Sequence, residues 1–456
     1  MQNKQKQSLK RLGGIVRKIP VIGFTIWWVY MLLTAPKKIF TLSAEKDRLE
    51  RSNQELREKQ IELENKLQQA NQELRILIKE LNNELRSLES KTNEQNSIFV
   101  NQLSSVTDII TKECIELGKL KIKNPDLKPI FIHSIFRSGS TYLWNKFRNS
   151  GNFWTYIEPF HQFMLDLEET GKKTLWGSTM KEHTSFLRHP LTDKNYFWEY
   201  PVINKGVPLF KKEFTFDYFC TKPDDIQEDM ENYTYFLIGY APKRAAFKFT
   251  RSALRSRWYK KRFDSVSIYL LRNPREQFES YQDYFKRGIP DFHIMSIMTI
   301  GKNQHRNKLF SKVSKTCGIP YYNSDNFKDE MDFYTRNVLP KLNTKDLYVL
   351  FYAIWLSALI ENFSINDIFF NIDTISRSVI EKRNLTSAFQ KFGIDLDLSD
   401  CSIRKYTTFA LRAEEFEEVE NMIYSLIDQF NIYDKIHLAK VNDYIKNTIL
   451  LHVTEI

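Results

Sequence analysis

Cysteine is scarce. The 456-residue chain has four, Cys114, Cys220, Cys317 and Cys401, and none sits in a CxxC pair or any other spacing typical of metal ligation. That scarcity excludes a disulfide-stapled fold and favours the reducing, cytosolic face. The histidines form no cluster, so no metal is expected. The Walker A pattern GxxxxGK[ST] is absent, which argues against an ordinary ATPase or GTPase. No known nucleic-acid module and no aromatic–basic alternation is visible, so no nucleic acid is expected as a partner.

What is present is a large apolar inventory. Hydrophobic residues make up 42% of the chain, with 34 Phe and 22 Tyr, enough for a substantial core and too much for wholesale disorder. Lys plus Arg is 67 against 56 Asp plus Glu, a net charge of +11. That balance suits an anionic partner such as a nucleotide or an acidic membrane surface.

The first 40 residues are basic and then apolar. Lys4, Lys6, Lys10, Arg11, Arg17 and Lys18 precede an uncharged run, 19–36, closed by Lys37 and Lys38. As a helix it would be about 27 Å long, just short of a ~30 Å hydrocarbon core. It fits a spanning helix or one that dips into a single leaflet; a buried core helix is the competing reading. No small-residue cleavage site precedes Pro36, which argues against a cleaved signal peptide. The expected localisation is therefore membrane-associated, with the rest of the chain cytoplasmic.

Residues 41–90 carry heptads. Leu42, Leu49, Leu56, Leu63, Ala70 and Leu77 form one row at d, and Lys46, Asn53, Gln60, Leu67, Leu74, Leu81 and Leu88 form the other at a. Polar Asn53 and Gln60 cost stability but favour one register and two strands. This predicts a coiled coil and a homodimer through it; a helix folded back on the globular part is the alternative. Residues 91–127 read as linker and helix, and 128–456 as an α/β domain.

Two elements of that domain are built for anions. The apolar run 129–136 leads into RSGST at 137–141 and then an amphipathic helix. Strand, tight glycine loop and helix aim backbone N–H groups and a helix N-terminus at one point. Gly139 permits close approach, Ser140 and Thr141 add hydroxyls, and Arg137 can fork onto phosphate oxygens. Further on, SVSIYLL (265–271) reads as a buried strand ending in Arg272. Asn273 is placed to cap the next helix, with Pro274 at its first position, and Ser280 lies in its second turn.

IFRSGSTYLWNKF resembles the 5′-phosphosulfate loop of sulfotransferases that use 3′-phosphoadenosine-5′-phosphosulfate (PAPS). YLLRNPREQFES resembles their 3′-phosphate motif. RSGS followed by YIEPFH (156–161) looks like the carbohydrate-sulfotransferase branch, and IFFNIDTIS (368–376) like a degraded form of the family's late RYEDL strand, with Asn371 to Ile375 at those positions. The resemblance runs from about 128 to about 400. It implies a P-loop-like parallel sheet flanked by helices, the sulfotransferase fold, and transfer of a sulfuryl group from PAPS to a hydroxyl or amine. The acceptor would be a saccharide, a glycolipid or another lipid-linked molecule. Arg137, Ser138, Gly139, Ser140, Thr141, Tyr142, Arg272 and Ser280 would bind the donor. Arg137 and Lys248 would stabilise the leaving phosphate. The cytosolic branch has a histidine two residues beyond that lysine; here stands Thr250, so the base would be elsewhere, with Glu158, at the branch's EP dipeptide, the first candidate and His161 the second. Thr250 and the degraded late strand also admit a different reading, a membrane-anchored coiled-coil scaffold whose nucleotide fold has lost catalysis.

Overall fold

A computed structural model of the chain describes residues 54–73, 76, 93–168, 196–202 and 205–450. The apolar run 19–36 and most of the heptad rows lie outside the described residues. Among the described residues no helix is long and apolar enough to cross a membrane.

Five short strands form the frame: β1 Ile130–His133, β2 Phe153–Ile157, β3 Arg244–Phe249, β4 Val266–Leu271 and β5 Ile368–Asn371. All four residues of β1 and all six of β4 are buried. Strands so apolar on both faces need cover on both faces, which is the condition for a parallel sheet. The sheet is parallel throughout, in the order β2-β3-β1-β4-β5. After β1 the chain moves to one side for β2 and β3, then crosses to the other for β4 and β5. The switch lies beside β1, where open α/β sheets bind ligands beyond their carboxyl ends.

Helix α1, Asn93–Lys121, buries Ile110, Cys114 and Leu117. It crosses α3, Glu228–Tyr240, where two glycines remove the side chains in the way. A Cβ at Gly118 would lie 2.1 Å from the Tyr235 carbonyl oxygen, and one at Gly239 1.8 Å from that of Cys114. The folded unit therefore begins ahead of residue 128, because α1 is one of its layers. Residues 54–73 are also helical. Within the unit that starts at Leu63, Leu67 (a) and Ala70 (d) pack against the cluster formed by α1, α3, β2 and β3. At those two positions the heptad rows meet the chain's own core.

The other face is organised by a long apolar helix, α7, Thr344–Asn362, opened by an Asn343–Asp346 capping box and buried on nearly all sides. Between it and the site run α5, Pro274–Lys286, and α6, Asp291–Asn303. The late amphipathic helix α8, Ala413–Gln429, buries Phe416, Val419, Ile423 and Ile427, while Met422 is on the outer side. It packs on α7, with Tyr348 and Phe416 ring centres 4.7 Å apart.

Candidate functional site

At the carboxyl ends of the strands lies a cavity of about 450 Å³, within the roughly 300–1,000 Å³ typical of small-molecule sites. The segment after β1 shapes one wall. Arg137 and Gly139 both adopt left-handed backbone, φ 63 and 88, which folds the loop tightly before helix α2, Ser140–Asn149. The Tyr142 N–H donates to the Gly139 carbonyl at 3.0 Å; the N–H groups of Ser140 and Thr141, ahead of it, have no intrahelical acceptor. A Cβ on Gly139 would sit 2.3 Å from Ile372 Cδ1, a side-chain end that can shift, so it is the left-handed torsion that calls for glycine.

The segment after β4 meets this loop. Asn273 caps α5, its side chain accepting from the Arg275 and Glu276 N–H groups at 3.0 and 3.3 Å. The cap fixes Arg272, which is buried. Its Nη1 donates to the Arg137 carbonyl and its Nη2 to that of Arg404, both at 3.3 Å. Nη2 also lies 3.7 Å from Glu276. Its Nε has no partner among the described residues. Arg137 in turn donates from Nε to Ser280 Oγ at 3.0 Å and stacks on Tyr284, 4.5 Å from the ring centre. Two elements 135 residues apart in sequence are thus locked into one cationic wall. Asp373, at the start of the helix after β5, accepts the Asn273 N–H at 2.5 Å and anchors the same corner.

The ends of β2 and β3 supply a carboxylate, a lysine and an imidazole. Glu158 follows β2 at φ 49, a left-handed torsion. It pairs with Lys248 of β3, and its Oε2 accepts from the Thr250 N–H at 3.1 Å and the Thr250 hydroxyl at 2.7 Å. Burial pushes its pKa up, but the Lys248 and Arg251 cations and the bonds from Lys248 and Thr250 outweigh burial and hold it below the ordinary carboxylate value. Burial lowers the Lys248 pKa, against the pull of Glu158. His161 Nδ1 accepts the Phe163 N–H at 3.2 Å, which places the ring proton on Nε2. Burial, helped by Arg251 and Lys248, keeps that ring neutral. With its proton on Nε2 and its Nδ1 already accepting, the neutral ring is in the wrong state for taking a proton.

Arg137, Gly139, Ser140, Thr141, Tyr142, Glu158, His161, Lys248, Arg272 and Ser280 all line the cavity. Ser138 is the exception: it is fully buried inside the loop, and its hydroxyl has no partner among the described residues. It is not among the residues that line the cavity. Tyr142 contributes differently from expectation, donating to Asp400 at 2.8 Å and tying the loop around 400–406 to α2. Residues not singled out from sequence also reach the cavity: Arg251, Asp283, Tyr284 and Tyr406. A basic residue directly past the end of β3 was the available signal for Arg251. Asp283 had none, since it gains its place by accepting from Arg404 and from the Tyr406 hydroxyl, the latter at 3.2 Å. Among the described residues no group of three or more His, Cys, Asp or Glu could hold a metal ion.

No family model matches the chain, and no curated protein matches it. Among solved structures it matches sulfotransferase STF9 from Mycobacterium avium at 11% identity, over 72% of this chain and 85% of that one, with a TM-score of 0.34. The functional reading rests on the site's own residues.

Proposed function

We propose that the chain is a PAPS-dependent sulfotransferase of the carbohydrate-sulfotransferase type. One observation carries the reading. Two anion-ready elements, one after β1 and one after β4, are joined by Arg137 to Ser280 and by Arg272 to the Arg137 carbonyl. Such a joint suits a ligand with two phosphates a ribose apart. The N–H groups opening α2, with Arg137, would take the 5′ end; Arg272 and Ser280 would take the 3′-phosphate. The buried Arg272 Nε, with no partner among the described residues, fits an anion that completes its set.

The chemistry follows from charge. An acceptor oxygen bonds to sulfur while the bond from sulfur to the bridging phosphate oxygen breaks. Negative charge grows on the leaving phosphate, and Arg137, Lys248 and the α2 N–H groups are preorganised to meet it. The acceptor proton passes to Glu158, which its surroundings keep ionised at neutral pH and therefore ready to receive it.

The scaffold reading rested on Thr250 and on the degraded late strand. Both positions have work at the site: Thr250 holds the Glu158 carboxylate, and Asp373 anchors the backbone next to Arg272. That favours the enzyme. A saccharide or lipid-linked acceptor, a homodimer through the heptads and a membrane-surface location belong to the same proposal. The test is release of adenosine 3′,5′-bisphosphate from PAPS by the full-length chain, alone and with a panel of saccharide and glycolipid acceptors. Acceptor-stimulated release is expected. Tight nucleotide binding with no release and no transfer would return the chain to the scaffold reading.

A further inference from the structure

Arg251 lines the cavity and is 1% exposed, yet the chemistry above gives it no task. A guanidinium kept from water is costly unless its donors are met. Its hydrogen bonds converge on one turn. Nη1 donates to the Phe160 carbonyl at 3.3 Å and Nη2 to Gln162 Oε1 at 3.1 Å, and Nη1 lies 4.0 Å from Glu158 Oε2. The plane of the fork packs between the Phe136 and Phe216 rings, 5.5 and 5.1 Å from their centres, with Met295 Sδ 3.8 Å from Nη2.

The turn it grips needs gripping. Glu158 holds a left-handed torsion immediately before Pro159, a conformation that costs an L residue energy and persists only where the surroundings impose it. The Glu158 N–H donates to the Lys248 carbonyl at 2.8 Å, and its own carbonyl accepts the His161 N–H at 2.9 Å. These bonds fix the turn's entry and closure. Arg251 holds its far side, at Phe160 and Gln162, while its Nη1 stays within ion-pair range of the carboxylate.

We infer that Arg251 is a positioning residue for the site's base: its planar fork clamps residues 158–162, so that the Glu158 carboxylate stays at the acceptor end of the cavity. The inference rests on the sulfotransferase reading. A lysine in its place would keep the charge but could not grip Phe160 and Gln162 at once. The groups that act on Glu158 are Lys248 of β3, Arg251 just beyond it, and Tyr196 and Tyr200 from the 196–202 segment. His161 stands on the same turn, and Arg255 lies within electrostatic reach of Arg251.

The experiment measures bisphosphate release from PAPS by the full-length chain across pH, with bisphosphate affinity and melting temperature on the same preparations. Arg251→Met should lower kcat by roughly 10–100-fold, the scale of a small misplacement of a reacting group, and leave bisphosphate affinity within a few-fold. Its acidic limb should move to higher pH, because a cation beside Glu158 is gone. Arg251→Lys should return the limb towards its wild-type position while recovering only part of kcat. Gln162→Ala, which removes one arm of the grip and no charge, should lower kcat several-fold with the limb in place. A purely structural Arg251 would lower melting temperature and leave the limb unmoved in every variant, and that result overturns the inference. So does a Gln162→Ala chain with unchanged kcat beside an Arg251→Lys chain with full kcat, a pair that decides the matter even if Arg251→Met does not fold. Failure of the wild-type chain to bind the bisphosphate is a distinct outcome; it removes the sulfotransferase reading and this inference with it.

Discussion

Glu158→Gln is the substitution that bears most heavily on the chemistry. Gln matches Glu in size but not in hydrogen bonding. The carboxylate faces donors on both oxygens: Lys248 on Oε1, and the Thr250 N–H and hydroxyl on Oε2 at 3.1 and 2.7 Å. An amide can turn its oxygen to only one of them, so its NH2 must confront a donor on the other side. The Glu158 and Lys248 side chains are only 13% and 5% exposed, and removing one partner of such a pair costs about 3–5 kcal/mol. Burial already depresses the Lys248 pKa, so the lysine can shed its proton and accept from the amide, which brings the cost towards the lower end. The rate should fall by roughly 10²–10⁴-fold as the base is lost, equivalent to about 3–5 kcal/mol of barrier. Glu158 has a folded-state pKa below the ordinary value of about 4.3. Its contribution to stability is therefore present above pH ~4.3 and is lost as pH falls through the lowered value. The acidic limb of the wild-type rate profile should lie in that same low window and vanish in the variant. The assay is bisphosphate release against pH, with melting curves alongside. A variant that keeps more than about a third of the wild-type rate, or keeps the acidic limb, would refute the assignment of Glu158 as base.

Arg272→Ala should weaken adenosine 3′,5′-bisphosphate binding by about 2–4 kcal/mol and Ser280→Ala by about 1 kcal/mol, measured by calorimetry. Both losses should shrink for adenosine 5′-phosphate; equal losses on both nucleotides would mean that this corner does not read the 3′ group. Gly139→Ala forces a left-handed torsion, φ 88, on a residue with a Cβ, at about 1–2 kcal/mol. Its Cβ would also meet Ile372 Cδ1, the movable end of a side chain, so the torsion sets the loss, which should show as a lower melting temperature and weaker bisphosphate binding. Deleting residues 1–40 should move the protein from the membrane to the soluble fraction on cell fractionation; a full-length chain already soluble in low salt without detergent would contradict the anchor.

The wall formed after β1 and β4 was legible because its signals are local. The apolar run before RSGST ends in β1, the loop turns at Gly139, and α2 starts at Ser140. The strand before Arg272 runs over Val266–Leu271, and Asn273 and Pro274 occupy the cap and first helical position expected of them. The Glu158–Lys248 side was legible only as candidate residues. Glu158 and Lys248 stand 90 positions apart and meet because β2 pairs with β3 in a register that sets Ile157 opposite Lys248. No periodicity in either strand states which neighbour it takes. The same limit hid Arg251, whose grip on residues 158–162 exists only after that pairing, and α1, whose fit to α3 depends on Gly118 meeting the Tyr235 backbone. His161 was a plausible base by its ordinary pKa. The Phe163 N–H bond that fixes its tautomer is a property of the folded turn, not of the sequence around it.

The central claim is that the wall made by Arg137, Arg272 and Ser280 recognises a nucleotide phosphorylated at both 3′ and 5′ positions. Calorimetric titration of the full-length chain with adenosine 3′,5′-bisphosphate and, separately, with adenosine 5′-phosphate tests it directly. The account predicts saturable binding of the bisphosphate at least about tenfold tighter than of the monophosphate, since a charge-assisted contact to one further phosphate is worth roughly 1.5–3 kcal/mol. Equal affinity for the two nucleotides, or no binding of either, would contradict it.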